Sequence, residues 1–147
     1  MMETVRNMVL MRFPSRATNI SFARTAIAIF ASQLDFTLDE LDEIKIAASE
    51  AVSNAVIHGY KEREGEITVI CRLLDDVLEI TVQDEGQGIA DIQKALEPAF
   101  TTEPEERMGL GLVFIKEYMD RLVVDSTLGK GTSLIMTKSP VQATVSS

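Results

Sequence analysis

Cysteine is almost missing from this chain of 147 residues: Cys71 stands alone, so no internal disulfide and no multi-cysteine zinc site can form. There is no tryptophan, and His58 is the single histidine. One imidazole excludes a histidine-cluster metal centre and leaves a serine-hydrolase triad to that residue, with no Gly-x-Ser-x-Gly beside it. Positive charge is short as well. Fourteen Lys and Arg against 23 Asp and Glu give a net charge of −9, a field that repels nucleic-acid phosphates and anionic lipid, so neither direct nucleic-acid binding nor membrane binding is expected. No apolar run reaches the roughly 18 residues of a membrane span, and the first six residues lack a signal peptide's apolar region. A reducing, cytoplasmic home is the expectation.

What is present suffices for one core. Apolar residues make up 46% and charged ones 25%, the balance of a folded soluble chain. We expect a single domain over residues 1–138, with a patternless tail over 139–147 that is disordered. The run 8–13, closed by Pro14, reads as a first strand. From Asn19 to Leu34, Phe22, Ala23, Ala26, Ile27, Phe30 and Leu34 recur at helical spacing, with Arg24 on or near the polar side. Thr37 followed by Glu40 is a capping-box pattern, ahead of a stripe of Leu41, Ile44, Ala48, Ala51, Val52 and Ala55 that Gly59 stops. The β-branched runs 66–73 and 77–83 predict an antiparallel hairpin. A short helical patch is expected near 91–96, a loop from Pro98 to Gly111, a helix from Leu110 to Leu122, a strand at 123–125 and a last strand over 132–137 after a turn at 129–131. This order implies an α/β two-layer sandwich, a mixed and mostly antiparallel sheet covered by helices on one face.

Three short segments carry chemistry. Glu50 and Asn54 lie four residues apart on the second helix, so a carboxylate and a carboxamide face the same way. An amide oxygen is a hard, neutral ligand suited to Mg²⁺, which shares its sphere with water and substrate phosphates, and the carboxylate one turn earlier can take a proton from an attacking hydroxyl. The same pair also fits a plain solvated helix face. Asp84-Glu-Gly86-Gln-Gly88 follows a strand: the glycines permit close approach to a flat ligand, and the Asp can accept from an exocyclic amine such as adenine's. An ordinary strand-exit turn has the same composition. Gly109-Leu-Gly111-Leu112 is read as opening a helix, whose free N–H groups would hold phosphate, though glycines also serve such junctions for geometry alone. Other phosphate signatures fail. Gly129-Lys130-Gly131-Thr132 lacks the P-loop spacing and falls between strands, and Asp91 stands where a Rossmann turn needs Gly or Ala.

Glu50-x-x-x-Asn54, Asp84-x-Gly86-x-Gly88, a loop, Gly109-x-Gly111-Leu112 and Gly131-Thr132, in this order, resemble the ATPase and kinase superfamily of gyrase, Hsp90, histidine kinases and MutL. The resemblance implies the Bergerat-type ATP-binding fold, ATP or ADP with Mg²⁺ as cofactors, Asn54 as the Mg²⁺ ligand and Asp84 as the adenine contact. It places Gly86, Gly88, Ile89, Thr101, Thr102, Arg107, Gly109, Leu110, Gly111, Leu112 and Thr132 around the nucleotide, with the loop as a lid. Within the superfamily the chain is similar to the small serine kinases that act as sporulation anti-sigma factors, through Ser21-Phe-Ala-Arg24, Ile44-Lys45, the run from Glu50 to Tyr60, Phe100-Thr-Thr-Glu-Pro104 and Tyr118-Met-Asp120. That similarity implies a homodimer that binds a sigma factor of the F type and uses ATP to phosphorylate a serine on an anti-sigma factor antagonist. It makes Glu50 the general base and Arg24 a partner contact. One departure is Glu103, in the lid where relatives are expected to carry lysine; Arg107 can compensate by holding phosphate oxygens bidentately. Alternatives are a nucleotide-responsive anti-sigma module without kinase activity, against which both Glu50 and Asn54 argue, the stress-response relative, and a detached histidine kinase domain, for which a phosphoacceptor other than His58 is wanting.

Overall fold

The computed structural model describes residues 4–60, 63–89 and 104–141. Five strands form one sheet in the order β1-β2-β3-β5-β4: β1 (Val5–Pro14), β2 (Glu66–Leu74), β3 (Val77–Asp84), β4 (Arg121–Thr127) and β5 (Gly131–Lys138). Every pairing among them is antiparallel, which sharpens the mixed sheet expected from sequence. Among the described residues three α-helices, α1 (Thr18–Ala31), α2 (Leu38–Asn54) and α3 (Pro104–Tyr118), accompany the sheet, with α2 packed against both others. The two-layer sandwich is as the sequence implied.

Alternation along the strands explains which face the helices cover. Ile67, Val69, Cys71 and Leu73 of β2, Leu78, Ile80 and Val82 of β3, and Leu134 and Met136 of β5 point one way and are buried against Ile27, Ile44, Val52 and Ile115. Each such Ile or Leu contributes about 2 kcal/mol by leaving water. Burial pushes the Cys71 thiol up to about 12, so it is inert packing. On the opposite face, register aligns Leu10, Ile70, Thr81, Ile135 and Val123 in one row across all five strands. No helix among the described residues covers that row.

The ends of α2 are built differently. At its start Thr37 Oγ1 accepts from the Glu40 N–H while a Glu40 oxygen accepts from the Thr37 N–H, the expected capping box. At its other end the chain continues as a π-helical turn, Ala55–Gly59, so the helical segment does stop at Gly59. Glu40 has a second duty: its Oε2 accepts from Val141 N at 3.0 Å. Lys138 Nζ caps the C-terminus of α3 through the Tyr118 carbonyl at 2.6 Å, and Ser139 N donates to Asp120. Residues 139–141 of the expected disordered tail are therefore pinned to α2 and to the turn after α3; 142–147 lie outside the described residues.

Three expectations are corrected. Helix α3 begins at Pro104, not Leu110, and ends at Tyr118. Proline fits the first helical position and Glu105 and Glu106 suit the positive end of the dipole, signals that outweigh the low propensity of Gly109 and Gly111. Leu122 consequently belongs to β4. Phe22, placed on the buried stripe of α1, is 62% exposed, and Ile29 66%; the helix buries the expected Ala23, Ile27 and Phe30 together with Ala28 and Ala31. The expected patch at 91–96, the loop up to 103, and with them Thr101, Thr102 and Glu103, lie outside the described residues.

Candidate functional site

A cleft opens between the end of α2, the exit of β3, α3 and the start of β5. It brings together Asn54, Asp84, Gly88, Ile89, Leu112 and Thr132, six of the residues singled out by sequence, over an apolar floor of Ala51, Ala55, Val82 and Leu134. Polar groups sit at two ends, Asn54 on the helix and Asp84 beside Thr132 on the sheet, directly opposite each other in the β3–β5 register.

At the helix end, the Asn54 amide nitrogen is buried without a hydrogen-bond partner among the described residues. A buried amide left unpaired is costly, and a polar ligand in the cleft would relieve it. Glu50 lies one turn earlier. Both face α3 at Gly111: a β-carbon built there would stand 2.7 Å from Glu50 Oε2 and 3.5 Å from Asn54 Oδ1. Among the described residues no group of three or more Asp, Glu, His or Cys could hold a metal alone. One amide oxygen beside one carboxylate fits an ion that takes most of its ligands from phosphate and water.

At the sheet end, burial raises the Asp84 pKa, opposed by the N–H groups of Gly86 and Thr132. The Gly86 N–H donates to Asp84 Oδ1 at 2.9 Å, aiming the carboxylate into the cleft. Gly88 has φ +76°, and a side chain there would also strike the Thr127 carbonyl, so the turn after Asp84 requires glycine. Gly86 does not line the cleft; it packs against the Gly59 carbonyl.

Sequence reasoning missed the supports of this loop. On one side Tyr60 Oη accepts from Glu85 N–H at 2.7 Å and donates to the Glu66 carbonyl at 2.8 Å. Gln87 donates from its backbone N–H to the Gly59 carbonyl at 3.0 Å and from Nε2 to the His58 carbonyl at 2.7 Å. On the other side Ser126 Oγ accepts from Ile89 N–H at 2.8 Å and lies 2.7 Å from Thr132 Oγ1. A tyrosine directly after the Gly59 helix stop was the one signal available for the first of these.

The glycines of α3 differ from expectation. Gly109 and Gly111 lie inside the helix, where their N–H groups belong to its own ladder, so the free-amide phosphate site expected at a helix start is not at these two residues. What Gly111 offers is close approach to Glu50. Arg24 stays outside the cleft on half-buried α1, its guanidinium 3.4 Å from Ser21 Oγ.

Residues 13–138 match the histidine kinase-like ATPase domain family. The chain is 50% identical over 133 residues to the anti-sigma F factor of Caldanaerobacter subterraneus subsp. tengcongensis, covering 90% of this chain and 93% of that one. It is 46% identical over 135 residues to the anti-sigma F factor of Clostridium acetobutylicum, covering 91% and 94%. Among solved structures, the RsbU and RsbW domains of Rv1364c from Mycobacterium tuberculosis superpose with TM-score 0.66 at 20% identity, over 90% of this chain and 32% of that one. The mycobacterial sensor histidine kinase MprB does so with TM-score 0.57 at 19% identity, over 89% and 97%. These two likenesses concern the fold.

Proposed function

The chain belongs to the histidine kinase-like ATPase family and, within it, to the anti-sigma F factors, and from that premise we propose that it binds and inhibits a sporulation sigma factor of the F type and, as an ATP-dependent serine kinase, phosphorylates a serine of the antagonist protein. The observation that carries the reading is the pairing of Glu50 with Asn54 against Gly111 at one end of a cleft whose other end holds Asp84.

ATP enters with its adenine on the apolar floor, where the exocyclic amine donates to the Asp84 carboxylate. Its phosphates run toward Asn54, and Arg107, on α3, is the cation we assign to them. Bound there, Mg²⁺ held by the Asn54 amide oxygen would neutralise phosphate charge. Glu50 orients the incoming serine hydroxyl and accepts its proton as the serine oxygen bonds to the terminal phosphorus. The bond from that phosphorus to the bridging oxygen breaks, and ADP leaves. Thr101 and Thr102 are proposed nucleotide contacts outside the described residues.

Arg24, on α1, is proposed to touch both protein partners. The apolar row of the open sheet face, with Leu10 45% and Val123 38% exposed, supports a second copy there: it is flanked by polar rows, the core-and-rim layout of an interface. A cytoplasmic location goes with a sigma-factor partner, and no helix of the described residues is long and apolar enough to cross a membrane.

The test is Glu50→Gln with Mg-ATP and the antagonist. Phosphate transfer should fall by about 100-fold or more while ADP affinity stays within about twofold; transfer at the wild-type rate would refute the base assignment.

A further inference from the structure

Two loops meet beside the cleft, and each leads to one of its ends. The segment His58-Gly59-Tyr60 continues the helix that carries Asn54; the segment Glu85-Gly86-Gln87 continues the strand that carries Asp84. Three hydrogen bonds join them: Glu85 N–H to Tyr60 Oη at 2.7 Å, Gln87 N–H to the Gly59 carbonyl at 3.0 Å and Gln87 Nε2 to the His58 carbonyl at 2.7 Å. Gly86 closes the seam by lying directly on the Gly59 carbonyl, where a β-carbon would collide. Two of the three bonds depend on side chains, and neither side chain lines the cleft.

We propose that Tyr60 and Gln87 are positioning residues that clasp these loops and thereby fix the span between the base-binding carboxylate and the ion-binding amide. Tyr60 is suited to this: the residue is 8% exposed and its hydroxyl is anchored from behind by the Glu66 carbonyl at 2.8 Å, so Glu85, the residue after Asp84, is tied to a fixed point. Gln87 is tied on its far side too, since its carbonyl accepts from Gly129 N–H at 2.7 Å. A ligand that touches only one end of the cleft can follow that end if the clasp loosens. A ligand that touches both must find them at a set separation, and it loses affinity when that separation is no longer pre-organised.

The inference rests on the nucleotide reading of the cleft, and its test separates the two. Adenosine and ADP, the latter with and without Mg²⁺, are titrated calorimetrically into the full chain and into Tyr60→Phe and Gln87→Met. Both variants should bind adenosine within about twofold of wild type and Mg-ADP about tenfold more weakly, the loss of one hydrogen bond's worth of order. Gln87→Lys, which returns an N–H donor toward the His58 carbonyl, should recover most of the loss. Wild-type Mg-ADP affinity in both variants overturns the proposal, as does an equal loss for adenosine and Mg-ADP, which marks a general structural role. Should Tyr60→Phe not fold, exposed Gln87 carries the same comparison. Wild-type protein that binds neither ligand overturns the nucleotide reading and the clasp with it.

Discussion

Gly111 lies against Glu50 so closely that a β-carbon on it would stand 2.7 Å from the carboxylate oxygen Oε2. The middle of α3 is therefore a roof over the proposed base, and any side chain there would push the Glu50 carboxylate aside.

Gly111→Ala forces Glu50 or the helix to shift, yet alanine is favoured over glycine inside a helix by about 1 kcal/mol. Phosphate transfer should fall at least about tenfold while the melting temperature stays level or rises. Unchanged transfer at unchanged stability would show that the contact leaves Glu50 free to work. Transfer assays beside thermal melts decide it.

Asp84 carries a burial cost in the ligand-free protein. Its folded pKa is raised by burial, so the folded state holds a proton more tightly than the unfolded one, and stability falls as pH rises from the ordinary aspartate range through the raised value. Asp84→Asn should therefore melt higher than wild type at pH 7, with the advantage shrinking in acid. Adenine nucleotide affinity should fall at the same time, by about tenfold or more. Melting curves across pH, paired with ADP titrations, read both effects.

Glu40 has the opposite sign. Burial pushes it up, but the N–H groups of Thr37 and Val141, the Thr37 hydroxyl and Lys138 together bring it below the usual glutamate range. Its contribution is present above that range and lost as pH falls through the folded value. Glu40→Gln keeps one acceptor and sets an amide N–H against a backbone N–H, at a cost of about 1 kcal/mol at neutral pH. Denaturant titrations should show that gap closing in acid.

The parts legible in sequence are those whose signal is local. The capping box at Thr37 and Glu40, the stripe of α2 and the β2–β3 hairpin declare themselves within a few residues, and the polar members of the cleft, Asn54, Asp84 and Thr132, sit in short spaced motifs. The clasp residues do not. Tyr60 reaches Glu85 across 25 positions, Gln87 reaches His58 across 29 and Ser126 reaches Ile89 across 37, and bonds of that span leave no period to read. The start of α3 was hidden for another reason: Gly109 and Gly111 look like a break, and only contact with α2 explains a glycine kept within a helix. Phe22 misled because apolar spacing marks a stripe without saying which neighbour, if any, will cover it.

The π-helical turn at Ala55–Gly59 gives this part of the chain a strict count. Its wider winding accommodates a residue more than α-helical closure would, and that surplus sets the angle at which His58, Gly59 and Tyr60 leave the helix. Removing one residue from the turn would return it to α-helical closure and change the path by which His58, Gly59 and Tyr60 leave the helix, and with it the three bonds to Glu85 and Gln87.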